Sequence, residues 1–418
     1  MSVTRVVELD GHIIDSGMMQ AAFGIVMDMG GSFDVEEFDV GRTKTARSHA
    51  RLRVHADSAE RLQSIVHELH QNGANPADPE DAELSPAPRD QVVPERFYST
   101  TNHPTEIRVA GEWVAVENIE MDCAVVVTGM GESEPTRAHT SVLNAIEAGD
   151  LIVTGEAGIR VRPPERPREQ EGAFGFMQGG VSAERPSETT ISQIAQAIVE
   201  TRAAGGEVLA VCGPALIHSG AREALAELIR ERHVTMLSAG NGFAVHDLEN
   251  DLYGTSLGMD TESLDHPRKG HKHHIYAISE IIREGGIEAA VQSGTIGGGV
   301  MYELVQGELP FVLAGSIRDD GPLPDTITDA VEAQTAIREQ AQDADLVLML
   351  STLLHSVAVG NCLPSTTKVV CVDINPATVT QLLDRGSAQA VGMVTDIGTF
   401  VPVLAEQVAE IAAGSTER

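Results

Sequence analysis

Residues 346–355 read Leu346-Val347-Leu348-Met349-Leu350-Ser351-Thr352-Leu353-Leu354-His355, five apolar residues passing straight into small and polar ones. A strand that is apolar at every position is covered on both faces, as in a parallel sheet held between two helix layers. Four more short runs share this character, at residues 208–211, 234–237, 311–314 and 369–372. Helical segments separate them at 221–230, 274–284, 329–338 and 379–384. In front lies a helix that starts at Ser187, carries Ile191, Ile194, Ala195, Ile198 and Val199 on one face, and ends at Gly205-Gly206. The alternation predicts an α/β fold, a doubly wound parallel-sheet dinucleotide-binding domain over residues 186–418.

Ligands of such sheets bind beyond the carboxyl ends of the strands, so the residues after each apolar run are candidates for the site. Cys212-Gly213-Pro214, followed by Ser219-Gly220, suits a structural turn or an anion at a helix start equally well. In Ser238-Ala239-Gly240-Asn241-Gly242 the small residues let backbone approach a ligand, and Asn241 offers both a donor and an acceptor. Gly315-Ser316-Ile317-Arg318-Asp319-Asp320-Gly321-Pro322 concentrates a cation and two carboxylates at one strand end, more charge than a turn requires. The run 369–372 ends in Asp373, the usual partner of an NAD ribose and a poor neighbour for a 2′-phosphate, and the pattern recurs at Val394-Thr395-Asp396. No GxGxxG fingerprint occurs, so the expectation is a Rossmann-like rather than an orthodox Rossmann site.

Upstream, β-branched residues 3–9, an apolar segment at 18–29, and two strands at 33–40 and 49–56 precede a helix capped by Ser58, with Leu62, Ile65, Val66 and Leu69 on one face and Gly73 at its end. This predicts an α+β unit of ferredoxin-like type over residues 1–95. Its second strand alternates Ala50, Leu52, Val54 against His49, Arg51, Arg53, His55, a basic face that suits an anionic ligand or plain solvation. Residues 73–95, rich in Pro, Asp, Glu and Ala, read as an acidic linker. Short alternating runs between 106 and 161 predict a small β-rich domain within 96–185, closed by a connector at 162–186.

Acidic residues number 62 against 29 basic ones, a formal net charge of −33, and Lys occurs only at positions 44, 269, 272 and 368. Such a surface suits a halophilic protein, whose self-repulsion a salt-rich cytoplasm screens. It argues against nucleic acid or an anionic membrane as partner. No apolar run approaches the ~18 residues of a membrane span, and the N-terminus lacks a signal-like apolar core, so a cytoplasmic location is expected. Cys123, Cys212, Cys362 and Cys371 lie far apart without a CxxC pair and read as reduced thiols. His266, His271, His273 and His274 interleave with lysines that repel a metal; the cluster better suits an anion or a solvated helix start, and no metal is expected. Gly297-Gly298-Gly299 precedes Glu303, a possible acid or base.

Several stretches together resemble the archaeal-type ornithine cyclodeaminases, whose N-terminal region is shared with proteins labelled lysine-ketoglutarate reductase/saccharopine dehydrogenase. They are Thr100-Thr101-Asn102-His103-Pro104-Thr105-Glu106, Gly213-Pro214-Ala215, Ala239-Gly240-Asn241, Ala244-Val245-His246-Asp247, the run from Ser316 to Asp325, and Val372-Asp373-Ile374-Asn375-Pro376. The resemblance implies a lyase of proline biosynthesis that turns L-ornithine into L-proline and ammonia with NAD as a non-consumed cofactor. It further implies NAD contacts at Asn241, Gly242, Asp320, Thr352, Leu353, Leu354, His355, Asp373, Asp396 and Ile397; Gly242 departs from the Ala familiar there. For the chemistry itself the candidates come from residue type alone: Arg318 for the substrate carboxylate, and Asp319, Glu303 and His273 for the δ-ammonium or proton transfer. A homo-oligomer is expected. The rival functions are an NAD-dependent amino-acid dehydrogenase of saccharopine or lysine type, a non-catalytic amino-acid sensor, and a deoxyhypusine-synthase-like transferase.

Overall fold

The strand at Leu346–Leu350 is buried at all five positions, as is its neighbour at Val208–Cys212. A computed structural model describes residues 3–14, 16–43, 46–77, 80–130, 135–163, 187–257, 259–260, 272–385 and 390–416. They divide into two units: one runs to residue 163 and includes Pro364–Thr366, and the other holds the remaining residues from 187 on.

The first unit begins with β1 (Val3–Gly11), α1 (Met18–Asp28), β2 (Ser32–Asp39), β3 (Ser48–Ala56), α2 (Ala59–Gln71) and β4 (Asn75–Pro76). Its sheet order β2-β3-β1-β4 is the ferredoxin-like arrangement. Both helices pack on one face, where Val26, Ile65 and Leu69 meet Leu9, Leu52 and Val54. The other face of β3 carries the basic residues, and each finds a carboxylate. His49 meets Asp10 at 2.8 Å, Arg51 meets Glu8 at 2.9 Å, Arg53 meets Glu36 at 2.6 Å and His55 meets Asp34 at 2.9 Å. The anion reading of that face therefore gives way to a ladder of hydrogen bonds to carboxylates, two of them arginine ion pairs.

A second sheet in this unit comprises β5 (Glu83–Pro86), β6 (Thr105–Val109), β7 (Glu112–Glu117), β8 (Ala124–Thr128), β9 (Arg137–Ser141), β10 (Leu151–Thr154) and β11 (Ile159–Val161), in the order β11-β6-β7-β9-β8-β10-β5. The stretch 73–95 is thus more than a linker: it supplies β4 to the first sheet and β5 to the second. Its Pro and acidic residues hid both strands, which are short and lie at sheet edges, where Pro and charge are tolerated.

The second unit contains α3 (Ser187–Ala203), β12 (Val208–Cys212), α4 (Ala215–His218), α5 (Arg222–Arg230), β13 (Met236–Gly240), α6 (Asn241–Tyr253), the small hairpin β14 (Thr255–Ser256) and β15 (Met259–Asp260), α7 (His273–Glu284), α8 (Ile287–Gln292), α9 (Val300–Gln306), β16 (Phe311–Ala314), α10 (Ala330–Gln342), β17 (Leu346–Leu350), α11 (Leu354–Cys362), β18 (Lys368–Asp373), α12 (Pro376–Arg385), β19 (Ala390–Val394) and α13 (Ile397–Thr416). Six parallel strands run in the order β16-β13-β12-β17-β18-β19. Numbered within the sheet this is 3-2-1-4-5-6, the Rossmann order.

The period-2 alternation of the strands explains why they are apolar throughout. Val208, Ala210, Leu346 and Leu348 enter one core, and Leu209, Val211, Val347 and Met349 enter the core on the opposite face. α13 is the one helix among the described residues long and apolar enough to cross a membrane, an exception to the sequence expectation. Phe400, Val401, Leu404 and Val408 are fully buried in the core beside α3 and α5. All four cysteines are buried.

Candidate active-site cleft

Adjacent β12 and β17 mark the point where the strand order reverses, so their following loops open a crevice between them. Gly213 and Ser351 line up there. A Cβ on Gly213 would sit 2.1 Å from the Ser351 carbonyl oxygen, so only glycine lets these two loops meet. Gly213 N–H donates to Leu350 O at 3.0 Å and Ser351 N–H to Val372 O at 2.9 Å, which ties the loops to the sheet. Ser351 takes a left-handed φ of 49°, and this turn launches α11 at Leu354.

Beside this point lies a cleft of about 430 Å³. It brings together Asn241, Gly242, Arg318, Asp319, Asp320, Thr352, Leu354 and His355 from the sequence candidates, and adds His246 and His274. Asn241 begins α6 and is 2 % exposed. Its Oδ1 accepts from Leu323 N–H and Thr326 Oγ1, both at 2.9 Å, and its Nδ2 donates to Gly321 O at 3.2 Å. Both ends of this amide therefore stitch the loop after β16 onto α6. In that loop Asp319 accepts from Ser316 N–H at 2.7 Å, while Arg318 is exposed. Asp320 meets His274 Nε2 at 3.3 Å. Burial lowers the His355 imidazole below its ordinary value, against the pull of Asp319, so the ring is neutral near pH 7.

Six candidates lie outside this lining. Leu353 is half exposed beside Leu354. Asp373 ends β18, accepts from Asn375 N–H at 2.8 Å, and precedes Ile374, which is 72 % exposed. Asp396 accepts from Thr399 N–H at 3.0 Å and so caps the start of α13, while Ile397 is buried in the core. His273 shares a 2.8 Å hydrogen bond with Thr255 Oγ1. Glu303 accepts two bonds from Arg230, at 2.8 and 3.0 Å, away from the cleft. The last two are therefore not brought to the place where the sequence reading put them. His266, His271 and Lys269 lie outside the described residues, among which no group of His, Cys, Asp or Glu could hold a metal.

Sequence reasoning missed a polar assembly behind the cleft. His246 Nδ1 and Glu249 Oε2 are 2.8 Å apart, one turn from each other on α6. Glu249 is fully buried, and its carboxylate also accepts from Thr255 Oγ1 at 2.8 Å and from Leu257 N–H at 3.2 Å. The His218 ring packs edge-on against His246 with centroids 4.8 Å apart. Burial and His246 push His218 down to about 4 despite Glu249, so that it too is neutral near pH 7. The i, i+3 spacing of His246 and Glu249 was the available signal. It went unread because Phe243 to Glu249 are all buried, which leaves α6 without an amphipathic stripe.

The second half of the sheet fits a dinucleotide. In the unit β17–α11–β18 a tight loop enters a helix, and Asp373 stands at the next strand end roughly 20 residues after Thr352, the interval at which such folds place the ribose-binding acid. The loop is tight because Gly213 and Ser351 approach so closely, which does for these strands what a glycine fingerprint does elsewhere.

The chain matches a family described as arginine dihydrolase ArgZ-like, C-terminal, Rossmann fold, over residues 192–404. Residues 4–103 match the LOR/SDH bifunctional enzyme conserved region, and 104–191 match the ArgZ-like C-terminal first region. A protein of Methanothermobacter thermautotrophicus named ornithine cyclodeaminase is 52 % identical over 405 residues, covering 97 % of this chain and 98 % of its relative. Apo ArgZ, an arginine dihydrolase from the ornithine-ammonia cycle in cyanobacteria, superimposes with a TM-score of 0.84 at 40 % identity, over 98 % of this chain and 59 % of ArgZ. The ternary complex of AgrE with ornithine and NAD+ matches at a TM-score of 0.53 and 41 % identity, over 99 % of this chain and 58 % of AgrE. The chain spans a little over half the length of these two bifunctional relatives.

Proposed function

Because the chain belongs to the ornithine cyclodeaminase family, which also supplies the C-terminal part of ArgZ-like arginine dihydrolases, we propose that it converts L-ornithine to L-proline and ammonia with NAD as a non-consumed cofactor. The observation that carries the reading is one cleft, at the switch point of a Rossmann-ordered sheet, that joins an exposed arginine and two carboxylates, Asp319 and Asp320, to the loop after β17. AgrE, a relative at 41 % identity, holds ornithine and NAD+ together.

When bound, NAD supplies reversible removal of the Cα hydrogen with its electron pair. Thr352, Leu353, Leu354 and His355 would hold it at the start of α11, Asp373 would take a ribose hydroxyl, and Gly242 and Asp320 would hold it from the cleft wall. Asp396 and Ile397 would act from the next strand end, the first through the loop it caps. Arg318 grips the substrate carboxylate with its planar fork. Asp319, on the same loop, faces the δ-ammonium, so the two charges measure the length of ornithine. Neutral His355 contributes a hydrogen bond without repelling the cationic substrate.

The deciding experiment incubates the purified chain with ornithine and NAD in high salt and follows proline, ammonia and the NADH absorbance. Proline and ammonia without stoichiometric NADH are expected. Accumulating NADH favours instead the amino-acid dehydrogenase that the LOR/SDH match over residues 4–103 suggests, and unchanged ornithine removes both readings. The net charge of −33 supports a halophilic, cytoplasmic setting; an unfolding midpoint that fails to rise in multimolar salt contradicts it.

A further inference from the structure

Of the residues singled out by type, Asp319 is taken up by the δ-ammonium, Glu303 is held by Arg230 and His273 by Thr255, which leaves proton transfer unassigned. His246 is differently placed. It lines the cleft, and its Nδ1 faces the buried Glu249 carboxylate at 2.8 Å. A carboxylate only accepts, so Nδ1 carries the hydrogen and Nε2 is left with the lone pair. Glu249 is itself locked, since Thr255 Oγ1 and Leu257 N–H both donate to it. A base held in one tautomer by a carboxylate that is held in turn is the arrangement of a general acid–base dyad.

We propose that His246 is the proton-transfer residue of this cleft and Glu249 its positioning residue, an assignment that rests on the cyclodeaminase reading. Nε2 takes a proton from the α-ammonium of ornithine, which frees the amine to become an imine as Cα gives up its hydrogen and electron pair to NAD. The δ-nitrogen, having lost a proton to solvent, forms the new bond to Cα with its lone pair. The Cα–α-nitrogen bond then breaks with its pair to nitrogen as His246 returns its proton there, so that ammonia departs while the ring nitrogen gives a proton to solvent and forms the C=N bond. The ring iminium regains the hydrogen and electron pair, and its nitrogen and the departed ammonia each take up one proton from solvent, giving zwitterionic proline and ammonium. Ornithine, a monocation, thus becomes zwitterionic proline and ammonium with no net proton or electron consumed. His218, packed against His246 and uncharged near pH 7, does not oppose the transient imidazolium.

The test compares wild type, His246→Ala, Glu249→Gln and Thr255→Val as full chains in saturating NAD, with NAD affinity measured separately by calorimetry. Loss of a general acid–base should lower kcat about 100-fold or more in His246→Ala, with the ornithine KM and the NAD Kd within threefold of wild type. Added imidazole should restore at least a tenth of the lost rate. Glu249→Gln, which keeps the shape and removes the charge, should lower kcat about tenfold without a change in KM. If that variant does not fold, Thr255→Val serves in its place, removing one donor from Glu249 and lowering kcat at unchanged KM. A His246→Ala enzyme within threefold of wild type, a loss confined to KM, or no response to imidazole overturns the dyad while leaving the cyclodeaminase reading intact. A wild type that forms no proline overturns both.

Discussion

Gly213 and Ser351 come so close that any side chain on the first would enter the carbonyl oxygen of the second. This contact joins the loops after β12 and β17 and sets the depth of the crevice. Gly213→Ala should therefore push the loops apart, costing about 1–3 kcal/mol as other overpacked sites do, and should weaken NAD binding more than a substitution at the open Gly220 would. Urea unfolding and NAD titration of the two variants check this. Equal NAD affinity in both would mean the close approach does not shape the nucleotide loop.

Asp247 lies next to the cleft residue His246 but serves the core. Its carboxylate takes Arg222 Nε at 2.7 Å and the N–H groups of Val300 and Met301 at 3.1 and 2.8 Å. Burial raises this carboxyl above its ordinary value, against the pull of Arg222 and the two amides. Arg222 also donates to Gly298 O, and Gly299 has a φ of 96° and no room for a Cβ. Asp247→Ala removes the buried partner of Arg222, which keeps only Glu223 and the more distant Asp251, and uncaps α9, so a loss of about 3 kcal/mol is expected, read as a lower urea midpoint. A loss below about 1 kcal/mol would show that water reaches Arg222 and the pair is not closed.

What could be read from sequence followed the range of the interaction. The parallel sheet was legible because β12 and β17 are apolar at every position, and the strand-end candidates followed from it. β13 was placed too early, at residue 234. Thr235 instead bonds back to Val208 before the ladder begins at Met236, and apolar content cannot mark that start. Asn241 stood out as a polar residue among small ones, yet its partners lie on a loop some 80 residues away and are invisible to local pattern. Glu303 was misplaced for the same reason, since Arg230 is 73 residues distant. The Glu249–His246 pair was hidden by complete burial, which erases the stripe that usually reveals a helix.

Asp373 tests the nucleotide half of the site alone. One carboxylate oxygen is used by Asn375 N–H, and the second is free to accept a ribose hydroxyl. Losing a charged hydrogen bond costs about 1.5–3 kcal/mol, so Asp373→Ala should raise the NAD Kd at least tenfold and narrow any preference for NAD over NADP. Ornithine KM at saturating NAD should hardly move. A Kd within twofold of wild type would remove Asp373 from the site.

Arg318 tests the substrate half. It is exposed on the cleft loop while Asp319 braces that loop through Ser316. Arg318→Ala should lower kcat/KM for ornithine at least tenfold, about 1.5 kcal/mol. Arg318→Lys should recover only part of this, because a point charge cannot reproduce bidentate contact. A change within threefold for the alanine variant would place the substrate carboxylate elsewhere.

A pH-dependent contribution to stability lies in the first unit, far in sequence from these groups. His67 Nδ1 is 2.7 Å from Glu156 Oε1, and His70 Nδ1 stands 3.8 Å from Oε2. The bond to Glu156 raises His67 above 6.5, more than burial lowers it. For Glu156, burial would raise the carboxyl, but the hydrogen bond from His67 and the nearness of His70 together hold it below 4.5. A raised histidine stabilises fully below its unfolded value and loses that contribution as pH climbs through the folded one. A depressed carboxylate stabilises above its unfolded value and loses its contribution as pH falls through the folded one. The pair is therefore worth most between those limits, in the mildly acidic range. His67 is 34 % exposed, so solvent screening limits its share to about 0.5–1 kcal/mol. His67→Gln should cost that much at about pH 5.5 and little at about pH 9, as read by hydrogen exchange of α2 or by urea unfolding. An equal cost at both pH values would mean that the pair acts through packing rather than charge.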